Sequence, residues 1–293
     1  MPSASTRWKK QLGSFLRELR KNAGKSVAQA ADELHVKGPT LSQYEAGQNR
    51  PQWAAVVQLL QFYGATPAQL AEAEGRWEDA GAKALRVRMP ADAPKDLRKL
   101  VRAELDARSV RVLSPSAVPG LLQTEPYIRA MNKAGHRLLD LAAMDEYIKA
   151  RMNRQKLLTG IDPLHVHALI DEAAIRRVLG GPQIMRQQLG HLLLVGSWAN
   201  VVIQVLPFGV GAYGPMGGQF MIVYYPEDGA LPGVYLEYLG GGAWVDNEAG
   251  IERITTTFDD ARAFALSPSD SADLIRQQQR ALEQYDDNEH GVA

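Results

Sequence analysis

Thr40, Ser42 and Gln43 put two hydroxyls and one carboxamide on a short stretch of chain. Groups of that size and polarity donate and accept hydrogen bonds at the edges of DNA bases. The elements that must present them are legible in the surrounding sequence, AGKSVAQAADELHVKGPTLSQYEAGQNR, from Ala23 to Arg50. Ser26 is an N-cap for a first helix, in which Ala30, Ala31 and Leu34 recur at helical spacing. Val36 fills the corner below. Lys37 opens a second helix with Pro39 in its first turn, where a missing N–H costs nothing. Leu41 and Tyr44 face inward; Thr40, Ser42 and Gln43 face outward. Two helices crossing steeply through a short turn can push one of them into a major groove. The alternative is an ordinary αα-hairpin inside a helical domain.

The flanking sequence completes a small helical domain. Upstream, Leu12, Leu16 and Leu19 form one stripe with Phe15 beside it; downstream, Trp53, Val56, Val57 and Leu60 form another, and a fifth helix starts at Thr66. Residues 8–74 resemble the lambda/434-type helix-turn-helix domain of the XRE superfamily, through the pattern S-x-x-x-x-A-x-x-L-x-V-x-x-x-x-L-S-x-Y-E-x-G. The resemblance implies an internal ion pair between Arg20 and Glu45, base reading by Lys37, Thr40 and Gln43, and a phosphate grip by Arg50. Ser42 joins the base-reading set from its outward position. Ser26, Lys9 and Lys10 join Arg50 as phosphate candidates. The chain departs from the family pattern at three places. His35 stands where the turn often has Gly, so a left-handed conformation there is strained. Val27 stands where Gln is often used on phosphate. Gly38-Pro39 removes two reading side chains, so that specificity leans on DNA shape or dimer spacing.

The net charge of zero hides an asymmetry. Residues 1–25 carry seven Lys/Arg against one Glu, whereas residues 113–293 carry fourteen basic and twenty-one acidic residues. A basic start suits phosphate contact with a steep salt dependence; a solvated basic helix face is the alternative for Lys9, Lys10 and Lys21. The chain has 293 residues, room for two domains, and no cysteine. That composition excludes disulfides, thiolate zinc sites and cysteine nucleophiles, and it fits a reducing cytosol. No apolar h-region follows the basic start, so no signal peptide is expected. The longest apolar stretch, Leu192 to Val205, is interrupted by Gly196, Ser197, Asn200 and Gln204, too short and polar for a bilayer span.

Beyond an irregular segment at 76–93, helices are expected at Pro94–Ala107, after Thr124, around Asp140–Leu158, in DEAAIRRVL and in PQIMRQQLGHLLLVGS. Strands are expected at Val110–Leu113, LHVHALI, NVVIQVLPF, QFMIVYY and GVYLEYL, and two helices, Asn247–Ala265 and Pro268–Gln284, close the chain. Several neighbouring strands lack a helical crossover, which points to an α+β domain with a mainly antiparallel sheet. VPGLLQTEPYIRAM, DEAAIRRVLGGPQIMRQQLGHLL, NVVIQVLPFGVGAYGPMGGQF and FDDARAFALSPSDSADLI resemble the C-terminal domain of actinomycete XRE regulators, including the WhiJ-like and Scr1 antitoxin-like groups, over about residues 100–280. The resemblance implies a cytoplasmic regulator in an actinomycete and a small partner protein of the BldB type.

Other candidate chemistry is weaker. Gly209-Val-Gly-Ala-Tyr-Gly214 fits G-x-G-x-x-G, but a strand follows where a dinucleotide fingerprint needs a helix. A strand-joining loop is expected, with Tyr213 and Met216 near its tip as contact candidates. His165 and His167 share one strand face, with Asp171 and Glu172 as the only further ligand candidates; a partly buried, hydrogen-bonded pair is the expectation. Asp171 can cap the following helix, and Asp259-Asp260 falls on an exposed helix face. VPGLLQT, with Val118, Leu121 and Leu122, is either a hydrophobic staple holding a helix to the sheet or a contact surface for a dimer or partner.

The sequence therefore reads as an all-α helix-turn-helix domain of five short helices over 1–75, a linker over 76–93, a larger α+β domain over 94–284 with a mainly antiparallel sheet, and a frayed acidic tail over 285–293. The expected function is sequence-specific binding of double-stranded operator DNA by a homodimer whose C-terminal domain answers to a BldB-type protein. No enzyme activity, cofactor or metal is expected. A ligand pocket in the C-terminal domain and an autoregulating antitoxin-like role are the alternatives.

Overall fold

A computed structural model describes residues 7–81, 93, 95–134, 141–159, 163–214, 216–226, 230–238 and 241–290. The chain forms two compact units, residues 1–86 and 87–293.

The first unit is all helical: α1 (Arg7–Asn22), α2 (Val27–Glu33), α3 (Gly38–Glu45), α4 (Trp53–Tyr63) and α5 (Pro67–Gly81). The leucine stripe of α1 meets Ala30 and Ala31 of α2, Leu41 of α3 and Val56, Leu59 and Leu60 of α4 in one core. Each wholly buried leucine contributes about 1.5–3 kcal/mol. The helix starts follow local chemistry. Ser26 and Gln29 form a reciprocal capping box at α2, and Thr66 and Gln69 exchange the same pair of bonds at α5. Gly64, with φ 70°, ends α4 in the left-handed conformation. Helix α5 runs to Gly81, past the start of the expected linker at residue 76; most of the rest of that linker lies outside the described residues.

The second unit is α+β. Its elements are α6 (Lys95–Asp106), β1 (Ser109–Ser114), α7 (Glu125–Ala134), α8 (Leu141–Gln155), β2 (His165–Asp171), α9 (Glu172–Arg176), α10 (Pro182–Val195), β3 (Val201–Leu206), β4 (Gln219–Tyr224), β5 (Gly233–Tyr238), β6 (Gly241–Val245), α11 (Glu248–Phe264) and α12 (Pro268–His290). The sheet order is β3-β2-β1-β4-β5-β6. β1 pairs with β2 and β2 with β3 in parallel, across helical crossovers, while β1–β4, β4–β5 and β5–β6 are antiparallel. The sheet is thus mixed, with antiparallel pairings in the majority. One face carries Leu113, Leu169, Phe220, Ile222 and Val234 against Phe258 and Ala261 of α11.

Two expectations change here. GGAWV at 241–245, not expected as a strand, pairs along β5 as β6. The acidic segment expected to be frayed continues α12 as helix through His290.

Candidate nucleic-acid interface

The interface is built outward from the wholly buried Leu41. His35 takes φ 54°, the one non-glycine with positive φ among the described residues, and so turns the chain between α2 and α3 at some cost in strain. Val36 packs on the core behind it. Lys37 is the N-cap of α3 by backbone conformation alone, with no side-chain cap bond.

The C-terminal end of α3 is fixed to α1. Arg20 holds Glu45 in a two-pronged ion pair, Nε to Oε1 at 2.6 Å and Nη2 to Oε2 at 3.0 Å, and its Nη1 donates to the carbonyl of Lys25 at 2.8 Å. The bond to Glu45 holds the Arg20 guanidinium above its ordinary pKa. Arg17 donates to the Glu45 carbonyl at 3.2 Å. Close backbone approach requires glycine at two points. A Cβ on Gly13 would lie 2.5 Å from the Tyr44 carbonyl oxygen, and one on Gly47, already at φ 65°, would overlap the backbone of Lys9 and Lys10. Gly47 thereby brings the start of α1, with Lys9 and Lys10 half-buried, beside the loop that follows α3.

On the far side of α3, Lys37, Ser42 and Gln43 are exposed and Thr40 is half-exposed, while Tyr44 packs against the core. Thr40, Ser42 and Gln43 lie away from the locked side of the helix, and Lys37 is exposed at its start. Ser26 is exposed, but its hydroxyl accepts the Gln29 N–H at 3.1 Å, so its side chain acts first as a cap. Val27 packs on the core.

Arg50 has a second engagement that its expected phosphate role does not suggest. Its guanidinium stacks 3.6 Å from the Trp77 ring centre and its Nε donates to the Trp77 carbonyl at 3.0 Å; Trp77 Nε1 returns a bond to the Pro51 carbonyl at 2.9 Å. Burial pushes the Arg50 pKa down from its ordinary value. The loop after α3 is thus clamped to α5. Asn49 is a second residue the sequence reading missed: its Nδ2 donates to Gln43 Oε1 at 2.9 Å.

The candidates in the second unit fare differently. Val118, Leu121 and Leu122 are buried to 1% exposure or less, which corrects their reading as a contact surface. VPGLLQT is an inward-turned segment whose backbone is satisfied by side chains: Gln123 Nε2 and Tyr127 Oη serve Val118, and Gln188 bonds both the Leu122 carbonyl and the Thr124 N–H. Tyr213 is also corrected. It is buried, and its hydroxyl donates to Asp171 Oδ2 at 2.7 Å, with burial raising its pKa. The physical reason is topological. The connection from edge strand β3 to β4 passes β2 and β1 in the sheet order, and Tyr213 in it meets Asp171 at the end of β2. Glu172 Oε2 accepts the Phe208 N–H at 2.7 Å in the same loop. Met216 is exposed, as is Phe208, which the sequence reading did not single out.

Asp171 Oδ1 caps α9 through the Ala173 N–H. His167 is partly buried, bonded to Gln204 at 2.8 Å and edge-on to Phe258; burial lowers its pKa. His165 is exposed, so the two do not form the buried pair expected of them. Asp259 faces Arg111 of β1 at 3.3 Å.

Comparison with known families divides the chain in the same way. A family model described as a domain of unknown function, DUF5753, matches residues 97–277, more than half of the chain. The chain belongs to the DUF5753 family. A helix-turn-helix domain model matches residues 11–73, which makes the first unit a DNA-binding domain of the transcription-regulator kind. No curated protein and no solved structure matches the chain. Among the described residues no helix is long and apolar enough to cross a membrane.

Proposed function

We propose that this DUF5753 protein is a sequence-specific transcriptional regulator that binds operator DNA as a homodimer. The observation that carries the reading is α3: Leu41 wholly buried and Glu45 pinned by Arg20, with Thr40, Ser42 and Gln43 away from that locked side and Lys37 exposed at the helix start. A rigidly held polar helix face is what base reading in a major groove requires. Arg50, Lys9 and Lys10 supply cations beside that face for phosphate. Two such units contact half-sites about 34 Å apart.

The DUF5753 domain, in this reading, joins the two copies and docks a small BldB-type protein. The support is its resemblance to the WhiJ-like and antitoxin-like regulators, together with Phe208 and Met216, which present apolar side chains to solvent from the loop between β3 and β4. The protein then acts in the cytoplasm and on the nucleoid.

The test is duplex binding by the full chain across a salt series, on a sequence selected from a randomised library and on random DNA. Gln43→Ala is expected to lose about tenfold in the preference between the two duplexes. Arg50→Ala is expected to weaken binding to both and to flatten the salt slope by about one unit. Equal losses for Gln43→Ala on both duplexes would exclude it as a base reader.

A further inference from the structure

The contact between Asn49 and Gln43 bears on what the recognition helix can read. A glutamine carboxamide on a helix surface is ambiguous: its last torsion is broad, and rotation exchanges a donor for an acceptor at the same place. In this chain one end of the carboxamide has a neighbour. Asn49 Nδ2 donates to Gln43 Oε1 at 2.9 Å, and the backbone that carries Asn49 is placed by the N–H groups of Gln48 and Asn49, which bond the Gln43 carbonyl at 2.9 and 3.4 Å. The loop is held in turn by the Arg50–Trp77 clamp immediately after Asn49 and by the tight fit of Gly47 on α1. Gln43 Nε2 has no partner among the described residues, and Gln43 is exposed.

We propose that Asn49 is a specificity-determining positioning residue that turns Gln43 into a fixed hydrogen-bond donor, directed at an acceptor-bearing base edge such as guanine N7 and O6. The inference rests on the DNA-reading function proposed above and deepens it. With Oε1 held by Asn49, the carboxamide meets the groove through Nε2, and guanine offers two acceptors there. Released from Asn49, the carboxamide can rotate, accept from adenine N6 or cytosine N4, and tolerate those bases at the same position. Asn49 thus acts on discrimination through Gln43, without itself reading a base.

The experiment is selection of duplexes from a randomised library by the full chain, followed by competition binding. Wild type, Asn49→Ala, Asn49→Asp, Gln43→Ala and the double variant Gln43→Ala/Asn49→Ala are compared. Asn49→Asp keeps the shape of the residue and removes the donor, so it controls for disturbance of the loop. Both Asn49 variants are expected to broaden one base-pair position per half-site, from guanine toward adenine and cytosine, with about a three- to tenfold loss of preference at that position. Melting temperature is expected to be unchanged in Asn49→Ala, and the double variant is expected to match Gln43→Ala. Three results overturn the inference: wild-type selection of an adenine or cytosine where Gln43→Ala has its effect, an Asn49→Ala profile identical to wild type, or an Asn49→Ala effect that persists in the Gln43→Ala background. A wild-type chain that enriches no sequence overturns the DNA-reading function itself, and this inference with it.

Discussion

Among the described residues, each unit of the molecule buries one arginine–glutamate pair, and the two pairs are built differently. In the helix-turn-helix unit, Arg20 and Glu45 are 8% and 4% exposed, and both carboxylate oxygens receive aligned guanidinium hydrogen bonds. In the DUF5753 unit, Arg154 of α8 and Glu104 of α6 are 5% and 0% exposed, with Arg154 Nε 3.2 Å from Glu104 Oε2. That contact is close but not aligned, and neither Glu104 oxygen has a hydrogen-bond donor among the described residues. Arg151, one turn earlier, spends its Nη1 on Gln123 at 2.8 Å instead. Burial raises the Glu104 pKa, a pull that Arg154 and Arg151 oppose. The comparison separates burial of charge from stabilisation by charge. Removing ions from water costs several kcal/mol each, and only good geometry with further hydrogen bonds returns it. The Arg20–Glu45 pair meets that condition and fixes the end of the recognition helix; the Arg154–Glu104 pair meets it poorly.

The largest effect is expected from stranding a charge in the first pair. Glu45→Ala should destabilise the helix-turn-helix unit by about 3–5 kcal/mol in chemical denaturation, because Arg20 is left buried without a counter-charge. The double variant Arg20→Ala/Glu45→Ala should cost less than the sum of the single losses; strict additivity would mean that the two do not act as a pair. The apolar replacement of both partners sharpens the contrast. Arg154→Met/Glu104→Leu is expected to leave the DUF5753 unit as stable as before or more stable by up to about 4 kcal/mol, whereas Arg20→Met/Glu45→Leu should lose stability. Equal responses would erase the distinction drawn between the pairs.

A smaller effect follows from pH. The folded pKa of Glu104 lies above its unfolded value, so the folded state takes up the proton more readily. Its contribution to stability is therefore greatest below the ordinary carboxylate value of 4.5, declines as pH rises toward the folded pKa, and levels off above it. Denaturation midpoints over that range should show this slope in the wild type and not in Glu104→Gln. The smallest change is expected for Tyr213→Phe, about 1 kcal/mol, since it removes one buried bond to Asp171 and leaves the ring in place. A loss of several kcal/mol would place this loop among the features that hold the unit together.

Much of the fold was legible where the physics is local. Ser26 and Asp171 could be named as caps because a cap bonds an N–H within three residues, and both do so. The leucine stripe of α1 and the alternation in β2 are likewise carried by neighbours in sequence. Strand β6 was not legible, since GGAWV has two glycines and no alternation, and its identity comes from pairing with β5. VPGLLQT was legible as apolar but not as inward or outward; that depended on Gln188, far away in the chain, reaching its backbone. Arg50 could be read only as a cation near DNA, because its partner Trp77 lies on a helix that folds back to meet it.

For the recognition stretch from Ala23 to Arg50, the sequence by itself determined two helices, their turn, their buried side and the polar set on the other. Those properties arise from caps, periodicity and residue volume, all within a few residues of one another. Only the tertiary structure decided how firmly that set is held and which way Gln43 presents its amide. The ion pair from α1, the stacking of Arg50 on Trp77 and the Asn49 bond are set by where helices and loops meet. The energy of each depends on alignment to within a few tenths of an ångström, which a linear pattern of residue types does not encode.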